Sequence, residues 1–189
     1  TIMRQLPKGY SDFKEIRQKD FYYLDKSLFI EEVIMDKTKI ILLPRPRRFG
    51  KTLNLSLLKY FFRQQDKTTN RTLFEGLQIT DSTYFEQHQG QYPVIDLSFK
   101  GIKALTFENS FNDLKRLVQI EYQRHNYLKT SKHLSKIQRT NFEQLYLGEA
   151  PLFLWRSALK DLSHYLETHH QQQVVILIDE YDTPIQAAW

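Results

Sequence analysis

The sequence predicts a helix-rich α/β fold in which helices flank a parallel sheet. Three short apolar runs have the length and the branched side chains of buried strands, at residues 40–43, 94–99 and 174–178. The longer stretches between them repeat apolar residues at helical spacing. Strands that alternate with helices indicate parallel pairing, because a crossover connection must carry the chain back to the same end of the sheet.

Turn residues and apolar residues at helical spacing divide the first half of the chain into segments. Residues 6–19 are mixed and polar, with a turn predicted at Pro7 and Gly9. Residues 22–36 carry apolar side chains at helical spacing after Asp25, which predicts a helix capped by that residue. Beyond the first strand, residues 50–63 predict an amphipathic helix, and residues 66–70 predict a loop.

The second half contains two strands and two long helices. The strand at 94–99 follows Pro93, a position at which a missing N–H group is tolerated. Helical spacing recurs over residues 107–127 and again over 151–169. The run at 174–178 is apolar throughout and ends on Asp179, so we expect it at the centre of the sheet with both faces covered.

The amino-acid composition is that of a folded protein with one core. With 189 residues, 13 Phe, 11 Tyr and 2 Trp, the chain has enough apolar area for one sizeable core. We therefore expect a single domain over residues 1–189, with a helical insertion at about 101–172. The absence of cysteine excludes disulfides, thiolate metal sites and a cysteine nucleophile. No apolar run approaches the length of a membrane span, and we expect a cytoplasmic protein.

A phosphate-binding loop is predicted between the first strand and the helix that follows it. Its residues are Arg45-Pro46-Arg47-Arg48-Phe49-Gly50-Lys51-Thr52. Gly50 lets the backbone approach phosphate oxygens, and the N–H groups of a helix start attract anions. Lys51 would reach the terminal phosphates of ATP, and the Thr52 hydroxyl would bind Mg²⁺. The predicted nucleotide-binding residues are Arg48, Phe49, Gly50, Lys51, Thr52 and Leu53.

The usual pattern begins with a glycine, and Arg45 stands in its place. The alternative interpretation is a basic turn followed by an ordinary helix start. Arg47 and Arg48 fit a bidentate clamp on phosphates, a nucleic-acid contact or a loop carboxylate equally well.

Two carboxylates follow the last strand. In P-loop ATPases the acidic residue at such a strand end holds Mg²⁺ through water, which is the role expected for Asp179. The adjacent Glu180 would orient the attacking water as general base. The alternative is a strand end that simply faces solvent. The long separation from Lys51 requires helices between the two motifs.

These residues resemble the bacterial AAA-ATPase-like family. The resemblance is carried by the loop at residues 45–52, by residues 178–185, and by the short sequence motifs at 9–13, 23–30 and 92–95. It implies a P-loop NTPase-type sheet, ATP and Mg²⁺ as ligands, and the roles given above for Gly50, Lys51, Thr52, Asp179 and Glu180. Members commonly carry a PD-(D/E)XK nuclease-type module downstream.

Family members also continue well past the Asp-Glu strand. We therefore expect this chain to be the N-terminal part of the domain, truncated after the Walker B strand. In that form it is expected to bind nucleotide weakly, to hydrolyse it negligibly and to self-associate.

A basic stretch between residues 122 and 142 contains no Asp or Glu. Its spacing would place three of its cations on one face of a helix, with Tyr127 and His133 available for stacking on bases. It is the best candidate for binding nucleic acid, and the alternative is a solvated face. Its cations are Arg124, Lys129, Lys132, Lys136 and Arg139.

Other polar residues have simpler interpretations. Asp182 or Thr183 before Pro184 fits a helix cap better than a second catalytic carboxylate. The six histidines show no metal-ligand spacing. Asp25 and Lys26 fit a place near the nucleotide base or an exposed helix cap.

The leading functional hypothesis is an ATPase domain that hydrolyses Mg-ATP in the full-length protein, as the regulatory or motor part of a nuclease-linked protein. A non-hydrolysing nucleotide-sensing module and a nucleic-acid-binding module are the alternatives. The nuclease motif itself is not expected here, because Asp182 stands where that motif needs a lysine after Glu180.

Overall fold

The computed structural model describes residues 4–36, 38, 41, 50–102 and 106–181. The chain divides into two compact units, of which the first ends at Tyr92 and the second begins at Pro93. The described residues form eight α-helices, two 3₁₀ turns and two strands. None of these helices is long and apolar enough to span a bilayer.

Helices make up the regular structure described in the first unit. They are α1 (Phe13–Gln18), α2 (Phe29–Met35), α3 (Lys51–Phe62), α4 (Lys67–Thr72) and α5 (Thr83–His88), with a 3₁₀ turn at Gln78–Asp81. The core of this unit is aromatic. The Phe61 ring lies 5.5 Å from the Phe74 ring and 5.8 Å from the Phe85 ring, both edge to face. Edge-to-face pairs add to the stabilisation that burial alone gives.

The second unit has two strands separated by three long helices. These are β1 (Val94–Ser98), α6 (Phe107–Arg124), α7 (Lys136–Leu147), α8 (Leu152–His170) and β2 (Val175–Asp179), with a 3₁₀ turn at Asn126–Thr130. The strands pair in parallel, from Val94 opposite Val175 to Ser98 opposite Asp179. Parallel neighbours need a crossover, and α6, α7 and α8 provide it.

The core of the second unit lies where the helices meet the strand pair. Ile95, Tyr122, Phe142 and Leu162 are each fully buried in one cluster. The Tyr122 hydroxyl donates to the carbonyl of Ala158 at 2.7 Å, which joins α6 to α8. Burial raises the pKa of Tyr122, so the phenol stays neutral and keeps this bond.

Most element types agree with the sequence predictions. The helix-rich α/β class, the parallel pairing and the helices at α3, α6 and α8 are confirmed. The strand predicted at 40–43 lies outside the described residues except for Ile41, which is not in a strand. The single-domain organisation with its helical insertion stays a prediction.

Three predictions of local structure are wrong. Residues 67–72 form α4 rather than a loop, because Asp66 adopts φ +59° and turns the chain into a new helix. The second helix begins at Phe29, and Leu28 rather than Asp25 precedes it. Ile176 is 47% exposed, so β2 does not have both faces covered.

Candidate functional site

The first half of the predicted site is the start of α3. Gly50 is the N-cap and has φ +76°, a conformation that glycine adopts without steric cost. A Cβ atom at Gly50 would meet no described atom within 4 Å. The helix begins at Lys51, and Thr52 and Leu53 complete the first turn. No acidic side chain lies in that turn, so the first turn itself has no carboxylate to offset the positive end of the helix dipole.

Contacts with α1 fix the position of α3. The Ser56 hydroxyl accepts from the backbone N–H of Phe13 at 2.8 Å. The Asp12 carboxylate accepts from the Tyr60 hydroxyl at 3.0 Å and caps α1 through the N–H of Glu15. Leu57 and Phe61, which belong to α3, are fully buried. These bonds therefore hold the later turns of the helix that begins at Lys51 against α1.

Asn54 is a candidate that the sequence analysis missed. It is 4% exposed, and its amide nitrogen has no hydrogen-bond partner in the part of the chain that the structure describes. It lies one turn along from Lys51, and helical side chains lean toward the N-terminus of their helix. A buried amide without a partner costs free energy, so a polar ligand near this helix start would stabilise it. The sequence feature that could have identified Asn54 is that it is a polar residue within a helix whose apolar residues recur at helical spacing.

The second half of the predicted site is the end of β2. Asp179 is the last strand residue and is 5% exposed, and its carbonyl accepts from the N–H of Phe99 at 3.0 Å. Its register partner is Ser98, at the end of β1. Partners in a parallel pair place their side chains on the same face of the sheet, so Ser98 is the neighbour of Asp179 on that face. Its polar character at a strand end was a signal that the sequence analysis did not use.

Glu180 follows directly with a backbone φ of +52°. This is the left-handed region, which is unfavourable for residues other than glycine, asparagine and aspartate. The turn continues to Tyr181, which is 53% exposed. The backbone therefore changes direction sharply at the predicted general base.

Several predicted residues lie outside the described residues. They are Arg45, Pro46, Arg47, Arg48, Phe49, Asp182, Thr183 and Pro184. Their expected roles on phosphate and in capping stay predictions.

Comparison with known proteins decides the family. The family model described as Predicted AAA-ATPase matches residues 7–189. The chain belongs to this family. It is 31% identical over 183 residues to a protein of Azotobacter chroococcum mcd 1 described as "Uncharacterized protein in vnfD 5'region". That match covers 96% of this chain but spans only 30% of the relative. No solved structure matches the chain.

Membership in a predicted AAA-ATPase family implies the use of ATP with Mg²⁺. Among the described residues, no group of three or more His, Cys, Asp or Glu side chains could hold a metal ion. Mg²⁺ at a nucleotide site does not need such a group, because phosphate oxygens and water fill most of its shell. The Thr52 hydroxyl and the Asp179 carboxylate are each an oxygen donor of the kind that Mg²⁺ prefers, and their binding to one ion stays a prediction.

The basic stretch does not form one helical face. Lys132 precedes α7, which begins only at Lys136 after the N-cap Ser135. Ser135 and Gln138 form a capping box that fixes this helix start, with bonds of 3.2 and 2.8 Å. The predicted face is therefore wrong, because a strong cap divides the sequence that would form it.

Several of its side chains have structural contacts. The Arg139 guanidinium donates to the carbonyls of Ser131 and Leu134. Arg124 pairs with Glu121 at 2.7 Å, and the Lys129 ammonium lies 4.1 Å from the centre of the Tyr146 ring. A nucleic-acid role for this stretch stays a prediction, and it depends most on Lys132 and Lys136.

Asp25 joins two segments of the first unit. Its carboxylate accepts from the N–H groups of Ser27 and Gln78, both at 2.8 Å. Burial acts to raise the pKa of Asp25, but the hydrogen bonds from Ser27 and Gln78 outweigh it and the pKa is lowered. Asp25 therefore stabilises the fold, and the predicted helix cap at this position is wrong.

Proposed function

We propose that the chain is an ATP-binding P-loop domain that hydrolyses Mg-ATP in the full-length protein. The observation that carries the proposal is the start of α3, where a left-handed Gly50 precedes Lys51 and Thr52 in a member of a predicted AAA-ATPase family. The catalytic work of such a domain is positioning and charge stabilisation.

In this proposal the start of α3 binds the phosphates. The first-turn N–H groups and the helix dipole favour negative charge at this end. Lys51 adds a cation that reaches the terminal phosphates, and Thr52 supplies a hydroxyl ligand to Mg²⁺. Arg48, Phe49 and Leu53 complete the proposed loop around the nucleotide.

The end of β2 supplies the carboxylates. Asp179 would hold the water shell of Mg²⁺, and the bound ion would neutralise charge on the phosphates. Glu180 would accept a hydrogen bond from the attacking water and take its proton. Ser98, as the register partner of Asp179, would keep the neighbouring strand end polar.

The wider role is also a proposal. The chain spans 30% of its Azotobacter relative, so that relative has room for further modules. We propose that the ATPase domain regulates or drives such a module, of which the nuclease-type domain implied by the resemblance is one kind. A nucleotide sensor that does not hydrolyse ATP remains the alternative, and Glu180 distinguishes the two.

The test of nucleotide binding is a Lys51→Ala variant, titrated with Mg-ATP by calorimetry. The matched control is Lys67→Ala, since Lys67 also begins a helix after a left-handed residue. We expect Lys51→Ala to weaken binding at least about tenfold, the size of one charge-assisted contact. The control is expected to bind as the wild type does. Equal affinity in all three proteins would contradict the phosphate-loop assignment.

A further inference from the structure

Two lysines and a histidine are exposed where the connection between α6 and α7 enters α7. Lys132 and His133 belong to this connection, and Lys136 is the first residue of α7 after the N-cap Ser135. We define Lys132, His133 and Lys136 as the connection surface. It is built from a loop and a helix start, and it stands in place of the single helical face that the sequence predicted.

The two ammonium groups of this surface are available to a ligand. Among the residues that the structure describes, neither Lys132 nor Lys136 contributes its ammonium to a hydrogen bond, an ion pair or a ring contact. By contrast, Arg124, Lys129 and Arg139 each have a contact within the chain. A lysine without an internal partner gives up no contact when it binds an anion, so no competing ion pair reduces the affinity.

The charge around this surface is positive. No acidic residue occurs between residues 122 and 142 of the sequence. Glu121, which precedes this stretch, is 1% exposed and pairs with Arg124 at 2.7 Å, and Glu143 lies on the later turns of α7. The last turn of α8, which contacts the connection, carries the exposed carboxylate of Glu167. The first turn of α7 has no acidic side chain, so the positive end of its dipole adds to the charge of the lysines.

Internal bonds fix the backbone that carries the connection surface. The Arg139 guanidinium donates to the carbonyls of Ser131 and Leu134, which holds the start of α7 against the connection. The Ser131 hydroxyl accepts from the N–H of His133 at 3.3 Å and lies 2.7 Å from Nδ1 of His169. A capping box fixes the first turn of α7. Because the backbone is already held, binding orders little more than the side chains of the surface, which lowers its entropic cost.

The exposed histidine indicates which polyanion fits this surface. The His133 ring lies perpendicular to the His169 ring, at 5.7 Å between centroids, and the residue is exposed beside Lys132. Single-stranded nucleic acid suits such a surface, because a base stacks on the ring while the lysines contact phosphates. An acidic peptide offers no base to the ring. An anionic membrane favours several exposed apolar side chains, whereas among residues 131–137 only Ile137 is a large apolar residue that is exposed.

We propose that the connection surface binds single-stranded nucleic acid, with Lys132 and Lys136 on phosphates and the His133 ring stacked on a base. A single strand fits better than a duplex, since the bases of a duplex are already stacked on each other. The dipole of α7 favours a phosphate near its first turn. The inference does not depend on nucleotide binding at α3.

The test measures binding of a labelled single-stranded DNA of about 20 nucleotides by fluorescence anisotropy, over a series of salt concentrations. One variant combines Lys132→Ala with Lys136→Ala. The matched control combines Arg156→Ala with Lys160→Ala, which removes the same charge from exposed positions on α8.

We expect the first variant to bind the DNA about tenfold more weakly than the wild type at about 0.1 M salt. The slope of log K against log salt concentration is expected to fall in magnitude by about 1.4, because each lost phosphate contact removes about 0.7. The control is expected to bind as the wild type does. Equal losses in the two variants would show an effect of net charge alone, and this result or an absence of binding by the wild type would overturn the proposal.

Variants of His133 test the stacking on a base. We expect His133→Ala to weaken DNA binding at least about fivefold and to leave the weaker binding of polyglutamate unchanged. His133→Tyr keeps a ring at this position and is expected to bind the DNA as the wild type does. Unchanged DNA affinity in His133→Ala would overturn the proposal.

Two measurements on the wild type keep the test valid if a variant does not fold. Addition of the DNA, followed by NMR, is expected to shift the ring signals of His133 more than those of His164, an exposed histidine on α8. Polyglutamate and vesicles that contain phosphatidylserine are expected to bind more weakly than the DNA. Equal shifts of the two histidines, or equally tight binding of either other polyanion, would overturn the proposal.

Discussion

Glu180 has an unfavourable backbone conformation at the position where the proposed chemistry needs a carboxylate. Its φ of +52° costs a residue of this kind about 1–2 kcal/mol. Asp20, Asp66 and Gln171 share the left-handed region, but Asp20 and Gln171 follow the C-terminal ends of α1 and α8, where left-handed residues are common. Strained residues persist when the surrounding structure holds them, and they are frequent at functional sites.

Variants of Glu180 separate its chemistry from its strain. In the full-length protein, we expect Glu180→Gln to keep ATP binding and to lower hydrolysis about 100-fold or more, the usual effect of a positioned base. We expect Glu180→Gly to lose hydrolysis as well, with an unfolding free energy that is unchanged or raised by up to about 1 kcal/mol, because glycine relieves the strain. Phosphate release and urea unfolding measure the two effects. Unchanged turnover in Glu180→Gln would favour the nucleotide sensor.

At the scale of elements, α3 depends on a short helix before it. Asp12 caps α1 and also accepts from the Tyr60 hydroxyl, with the Lys59 ammonium 3.8 Å away. One carboxylate therefore sets both the start of α1 and the position of the helix that carries Lys51. Ser135, by contrast, caps α7 through local bonds with Gln138.

Two cap variants measure this difference. We expect Ser135→Ala to lower the unfolding free energy by about 1 kcal/mol, the value of a lost cap. Asp12→Ala is expected to cost about 2 kcal/mol, because it loses the cap and leaves the Tyr60 hydroxyl without this acceptor. It is also expected to weaken ATP binding, whereas Ser135→Ala is not. If both variants cost the same and bind ATP alike, Asp12 is only a local cap.

At the scale of the whole molecule, each unit has a fully buried aromatic centre. Phe61 contacts the rings of Phe62, Phe74 and Phe85 in the first unit. Phe142 lies 4.9 Å from the Tyr122 ring in the second unit, between centroids. Both phenylalanines have no exposed surface.

Truncation of each centre tests whether the units unfold separately. We expect Phe61→Ala and Phe142→Ala to cost about 3–5 kcal/mol each, through lost burial and the cavity left behind. Amide exchange should then lose protection in α3 for Phe61→Ala, and in α6–α8 for Phe142→Ala. Loss of protection throughout the chain in either variant would instead support the single domain that the sequence predicts.

Local patterns were enough to predict much of the molecule. The spacing of apolar residues predicted α3, α6 and α8 within a few residues, since burial of one helical face imposes that spacing. The short apolar runs predicted that the segments at β1 and β2 are strands, and their alternation with helices predicted parallel pairing. The start of α3 at Gly50-Lys51-Thr52 was also predictable, because glycine and the helix start are local features.

Features that join distant residues were decided only by the tertiary structure. The sequence does not specify that Ser98 lies opposite Asp179, because register depends on how the intervening helices pack. Nor does it show that Asp25 bonds to Gln78, or that Tyr127 links His125 to His170. The sequence by itself therefore determined the family, the element types and the motif residues, while packing decided which polar groups meet. The physical reason is that hydrophobic periodicity repeats along the chain, whereas hydrogen-bond partners depend on contacts between residues far apart in it.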